Sequence, residues 1–153
     1  MNNIMQLCNQ VRKTAYSIHL FHAHGHLEKV YENALAHRLR KHGIEVKQQH
    51  PLTVYDEDGT VIGEYNADLL IENRLIIELK ACRAIADEHV AQLLGYLKAA
   101  RIEHGLLINF GSHKFQIKKY AFSVGNSGAG PSFSAKLGGF LFNLLAFSAV
   151  LGG

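Results

Sequence analysis

Apolar positions recur every three to four residues along the first part of the chain. Leu7, Val11, Ala15, Ile18 and Phe21 mark one face of a helix over residues 5–21. His22-Ala23-His24-Gly25 interrupts the pattern. Leu27, Tyr31, Ala34, Leu35 and Leu39 then mark a second helix over 26–42, ended by Gly43 as a C-cap glycine. Strands are expected over 44–49, 52–56, 64–71 and 75–81, with Asp58-Gly59 as a hairpin turn. Helical spacing returns with Val90, Leu93, Leu94 and Leu97 in 87–100, where Asp87 is the expected N-cap. The apolar run 105–110 reads as a buried strand and 115–122 as a last one. The order ααββββαββ implies an α+β or α/β fold, with helices packed on one mixed sheet.

The strand at 75–81 carries chemistry. Its residues Leu75-Ile76-Ile77-Glu78-Leu79 are apolar on both faces up to Glu78, as expected of a central strand buried on both sides. Glu78 and Lys80 share a face, and both are costly to desolvate unless they serve each other or a metal. Asp68 lies near the end of the preceding strand, and Glu72-Asn73-Arg74 separates the two runs. If Ile71 pairs with Leu75 across a three-residue loop, Asp68 falls opposite Glu78 on the same face. A two-residue loop shifts the register by one and sends the carboxylates to opposite faces unless a bulge restores the count. Two carboxylates converging beside a lysine suit a divalent cation that holds a phosphate and activates a water.

At 153 residues the chain is long enough for one sizeable core, and 48% hydrophobic with 19% charged residues is ordinary globular composition. The net charge of +3 is mild but unevenly spread. Arg12, Lys13, Lys29, Arg38, Arg40, Lys41 and Lys47 face only Glu28, Glu32 and Glu45 in the same stretch, which fits a polyanionic partner as well as a solvated helix face. Cys8 and Cys82 have no metal-type spacing, and with no signal peptide they fit a reducing cytoplasm. After Ser123 the composition changes. Residues 124–153 contain no acid, one lysine and seven glycines, and read as a linker with an apolar, poorly ordered tail beside a domain at 1–123. The apolar stretch 137–151 is shorter than the ~20 residues a membrane-spanning helix needs, leaving a membrane or protein contact as the alternative to a loose tail.

Gly25-His26-Leu27-Glu28-Lys29-Val30-Tyr31 fits the pattern GxxExxY. On one continuous helix, positions 25, 28 and 31 would fall within a third of the circumference, letting Glu28 and Tyr31 look toward one surface. Together with Tyr65-Asn66-Ala67-Asp68, Ile77-Glu78-Leu79-Lys80, Gln92-Leu93-Leu94-Gly95-Tyr96 and Gly105-Leu106-Leu107-Ile108-Asn109-Phe110, this stretch resembles the bacterial GxxExxY family. That family is similar to a compact branch of the PD-(D/E)XK nuclease superfamily, with a motif layout like RecB-type and lambda-exonuclease-type domains. The likeness covers about residues 4–122.

The resemblance implies a restriction-endonuclease-like core and a Mg²⁺-dependent nuclease (Mn²⁺ as substitute), acting on DNA ahead of RNA and using no small-molecule cofactor. It implies that Asp68, Glu78 and the Leu79 carbonyl hold the metal, that Lys80 orients or deprotonates water, and that Glu28 is an outer acid of the site. Gln92 and Tyr96 match a QxxxY motif flanking the active site. Arg38, Arg40 and Lys41 are the candidates for holding a nucleic-acid backbone. Ala23-His24-Gly25 departs from the Gly-Pro-Gly usual before the helix, and His22, His24 and His26 offer a set for adventitious zinc or nickel. A nuclease-like fold kept as a binding or structural module is the rival reading.

Overall fold

Strand-forming residues dominate the middle of the chain and helix-forming ones flank them, and the sheet they build is mixed. The computed structural model describes residues 3–123 together with the backbone of Ser134–Leu137 and Phe140–Asn143. Helices α1 (Ile4–His22) and α2 (Glu28–Lys41) come first, followed by strands β1 (Val46–Tyr55), β2 (Val61–Ile71) and β3 (Leu75–Lys80). Helix α3 (Asp87–Ala100) then crosses to β4 (His104–Asn109), and β5 (Gln116–Ala121) completes a sheet in the order β1-β2-β3-β4-β5. Among the described strands of this sheet only β3 and β4 run parallel, which is why their connection needs a helix while the others are hairpins.

Alternation along β3 divides the core. Leu75, Ile77 and Leu79 pack with Leu7, Val11, Ile18, Tyr31, Leu35 and Leu39 of α1 and α2 on one face. Ile76 packs with Leu93, Leu94, Tyr96 and Leu97 of α3 on the other. All five residues from Leu75 to Leu79 are buried, as the two-sided apolar run requires. Glu78 and Lys80 have the parity of Ile76 and so point to the α3 side.

Three local expectations change. The strands expected at 44–49 and 52–56 form the single strand β1, with Pro51 paired to Asn66. Proline is tolerated there because β1 is the sheet edge, where a missing N–H breaks no ladder. Asp87 is the first residue of α3 and Ala86 its N-cap; the Ala86 N–H donates to Nδ1 of His89 at 3.0 Å. Gly25 precedes α2, and Tyr31 turns into the core fully buried, so Glu28 and Tyr31 do not share a surface. At the far end of α2, Gly43 (φ +75°) donates to Arg40 O and Ile44 to Leu39 O, the left-handed cap that glycine permits.

Cys8 and Cys82 are both free. No helix among the described residues is long and apolar enough to cross a membrane. The expected linker and apolar tail lie outside the described residues, apart from the backbone of β6 (Ser134–Leu137) and β7 (Phe140–Asn143), which pair as an antiparallel ladder.

Candidate active site

The loop parity left open by the sequence is resolved in favour of convergence. Ile71 pairs with Leu75, Leu70 with Ile76 and Leu69 with Ile77 across Glu72-Asn73-Arg74. Glu72 (φ 52°) and Asn73 (φ 57°) both take the left-handed conformation, closed by Arg74 N–H to Ile71 O at 3.0 Å. The next step would pair Asp68 with Glu78, but there the carboxylates take over from the backbone ladder. The Asp68 N–H donates to Glu78 Oε1 at 3.1 Å, and the Leu79 N–H donates to Asp68 Oδ2 at 2.8 Å. Each carboxylate thus holds the opposite strand at the point where β2 and β3 part.

Lys80 closes the group. Its Nζ lies 3.9 Å from Glu78 Oε2 and donates to Gln92 Oε1 at 2.9 Å. Gln92 in turn donates to the Tyr96 hydroxyl at 2.8 Å, one turn further along α3. Tyr96 is buried, and its ring lies 5.3 Å from that of Tyr65. Glu28 enters from the opposite face of the sheet, at the first residue of α2, where the Ala81 backbone favours its anion. The helices on both sides therefore send polar groups to the end of β3.

Three further residues belong to this network. Glu32, 3% exposed, lies one turn after Glu28 and receives Lys29 Nζ at 2.8 Å and Gln48 Nε2 at 3.0 Å. Gln49 bridges Glu32 Oε2 (2.9 Å) and Asp68 Oδ1 (3.2 Å) with its amide. It does so from a left-handed backbone (φ 49°) inside β1, where the register skips the pair it would make with Asp68. Non-glycine residues hold such a conformation only when their surroundings impose it. Asn109, fully buried at the end of β4, accepts from the N–H groups of Cys82 and Gly111 and donates to Cys82 O and Gln116. That clamp and the Phe110 N–H to Lys80 O bond (2.8 Å) set the course of the chain leaving Lys80. The i, i+4 spacing to Glu28 was a usable sequence signal for Glu32, and a lone polar residue closing an apolar run was one for Asn109. Gln49 had none.

Burial dominates the electrostatics. It pushes the Glu78 carboxyl from 4.5 to about 8, with the negative charge of Asp68 adding to the effect. Asp68 is raised by burial, against the Leu79 and Gln49 hydrogen bonds that favour its anion. Glu28 is raised by partial burial and then by Asp68. Tyr96 is raised by burial and then by the charge of Glu78. Three carboxyl groups thus face one ammonium, with Glu78 buried, Asp68 half-buried and Glu28 exposed.

The model of the PD-(D/E)XK nuclease superfamily matches residues 5–120, most of the chain. The chain belongs to the PD-(D/E)XK nuclease superfamily. No curated protein matches it. The crystal structure of SSO0001 is similar in fold, with a TM-score of 0.50 and 20% identity, covering 60% of this chain and 48% of that one. This chain therefore aligns with about half the length of that protein. The lettering of the superfamily name is met by Glu78-Leu79-Lys80 and by Asp68, with Ala67 where the name has proline.

Superfamily members use divalent metals, and the donor set here suits one. Among the described residues no group of three His, Cys, Asp or Glu side chains is placed to hold a metal ion. The two carboxylates are hard oxygen donors of the kind a divalent cation takes. The histidines do not form one set. His22 faces His26 at 5.6 Å between ring centroids, while His24 faces His113 at 6.1 Å. Nor are the three basic candidates gathered here. Arg40 turns to β1, donating to Val46 O (2.8 Å) and Gln48 Oε1 (3.0 Å), whereas Arg38 and Lys41 line a groove between α1 and α2.

Proposed function

We propose that the protein is a Mg²⁺-dependent nuclease of the GxxExxY type, hydrolysing phosphodiester bonds in nucleic acid, with DNA ahead of RNA. The observation that carries this reading is the crossed bonding of Asp68 and Glu78 at the point where β2 and β3 part. It holds the buried Glu78 and the half-buried Asp68 together where neither carboxylate gains from the other, and a divalent cation relieves that repulsion. Asp68, Glu78 and the Leu79 carbonyl are the proposed protein oxygens for the ion, with Glu28 as an outer acid acting through water. A bound Mg²⁺ polarises the phosphate and lowers the pKa of a water.

The remaining work falls to the side chains. Lys80, steadied by Gln92, orients the attacking water and places its positive charge beside the phosphoryl oxygens as they gain charge. Tyr96 fixes Gln92 through its hydroxyl and walls the pocket on the α3 side. Gln49 holds Asp68 in one rotamer from the β1 side. Geometry held by rigid elements is what an in-line displacement needs.

The test is direct. Purified protein with Mg²⁺ or Mn²⁺ is offered linear, circular, single-stranded and duplex substrates, with a chelator control. The reading requires metal-dependent cleavage of at least one substrate. Binding without cleavage of any of them returns the fold to the role of a binding module.

A further inference from the structure

A second surface lies away from the carboxylates. Between α1 and α2 runs an open groove of about 780 Å³. Three fixed cations line it, Lys13 from α1 and Arg38 and Lys41 from α2, joined by His22, His37 and His42. No acidic residue lines it, and α1 contains none at all. Among the described residues none of the three cations forms an ion pair or a hydrogen bond. Arg40, on the same helix, is by contrast bound to β1.

Unpaired cations concentrated in a groove repel one another, so the arrangement stores charge for an anionic ligand. A lone phosphate would fill only a small part of such a space. An exposed aromatic ring stands at the rim: Phe21 is 78% exposed, and the Arg38 guanidinium lies 6.0 Å from its centroid. A large apolar ring left in water beside a row of cations combines a stacking platform with a track for phosphates. Duplex bases are already stacked and offer no free face to Phe21, whereas a single strand does.

We infer that the α1–α2 groove binds a single strand of nucleic acid, with Lys13, Arg38 and Lys41 on its phosphates and Phe21 stacked on a base. The site is separate from the proposed catalytic one. Lys41 sits at the opposite end of α2 from Glu28, about 20 Å along the helix axis at 1.5 Å per residue. The inference rests on the nucleic-acid reading above, and in an enzyme it supplies a hold on a strand outside the cutting site.

The test measures binding without turnover. Labelled oligo(dT), oligo(rU) and a duplex of equal length are titrated by fluorescence anisotropy in chelator across a salt series. The parent protein should bind single strands more tightly than duplex, and the tighter of the two single strands identifies the sugar it takes. Replacing Lys13, Arg38 and Lys41 together by alanine should lower the log–log salt slope by about 2, at ~0.7 per lost phosphate contact. Phe21→Ala should weaken binding by about 5- to 150-fold, the range for one stacked base. All four side chains project from the helix pair without filling the core, so the variants should fold. Retention of parental slope and affinity in the groove variants overturns the inference even if the protein cleaves. A parent that binds through the groove yet cleaves nothing overturns the nuclease reading instead.

Discussion

Replacing Glu78 by glutamine should make the metal-free protein more stable at neutral and alkaline pH. Glu78 is 2% exposed, and burial with the neighbouring Asp68 raises its carboxyl from 4.5 to about 8. A group raised on folding gives its full stability below the unfolded value. That stability is lost as pH rises through the folded value. In the parent the loss therefore develops between pH 4.5 and about 8 and then levels off. At pH 7 the folded protein retains a proton that the unfolded chain has released, at a cost of roughly 3 kcal/mol. Glutamine carries no such cost and keeps an oxygen to accept the Asp68 N–H. Coupling to Asp68 and the altered contact with Lys80 reduce the gain, to about 1–3 kcal/mol. Urea denaturation in chelator should show the variants nearly equal near pH 4.5, and the glutamine variant ahead by roughly 0.5–2 M in midpoint near pH 8. Adding Mg²⁺ should then raise the parent, by about 2.7 kcal/mol at a hundredfold excess over its dissociation constant, and leave the variant where it was. A pH-independent difference between the two, or a less stable variant near pH 8, would refute the electrostatic argument.

Other substitutions test the frame around the site. Gln49→Ala removes the bridge between Glu32 and Asp68 and should cost about 1–2 kcal/mol by denaturation, with a clear loss of kcat. Gln49→Gly relieves the left-handed backbone, so it should be more stable than the alanine variant by about 1 kcal/mol, yet no more active. Gly111→Ala would put a Cβ 2.1 Å from the Cys82 nitrogen, so the segment after Lys80 must move; thermal unfolding should register a loss of at least ~2 kcal/mol. Tyr31→Phe keeps the 4.7 Å stack on Phe110 but removes the hydroxyl that donates to Ala23 O and accepts from the His26 N–H. It should lower stability by about 1–3 kcal/mol in calorimetry with little change in the salt dependence of nucleic-acid binding.

The parts of this molecule that periodicity governs were legible in its sequence. The apolar stripes of α1, α2 and α3 and the two-sided burial of β3 follow from side-chain spacing, except that Phe21 and Leu27, expected on the stripes of α1 and α2, are exposed, Leu27 because it is the N-cap that precedes α2. The relation between Asp68 and Glu78 reduced to one question of loop parity, which the pairing of Ile71 with Leu75 answers. What escaped depends on tertiary context. Pro51 could stay inside a strand only because β1 lies at the edge of the sheet. Tyr31 belongs to the core because α2 begins at Glu28 and the chain before it folds back onto the tyrosine hydroxyl. The left-handed backbone of Gln49 has no sequence signature, and its role emerges only when Glu32 and Asp68 are brought to either side of its amide. Among the basic residues, charge density marked the region but did not distinguish Arg40, tied to β1, from Arg38 and Lys41 in the groove.

The most direct test of the central claim is the cleavage rate of one labelled substrate, followed against Mg²⁺ concentration for the parent, Asp68→Asn and Lys80→Met. The account predicts metal-dependent cleavage by the parent and a loss of at least 100-fold in both variants, on the order expected for removing a preorganised catalytic group. Raising Mg²⁺ should recover part of the rate for Asp68→Asn, which has lost a ligand, and none for Lys80→Met, which has lost the ammonium beside the water. Cleavage by Lys80→Met at the parental rate would contradict the role given to Lys80. Cleavage by the parent that persists in chelator would contradict the metal centre on which the account is built.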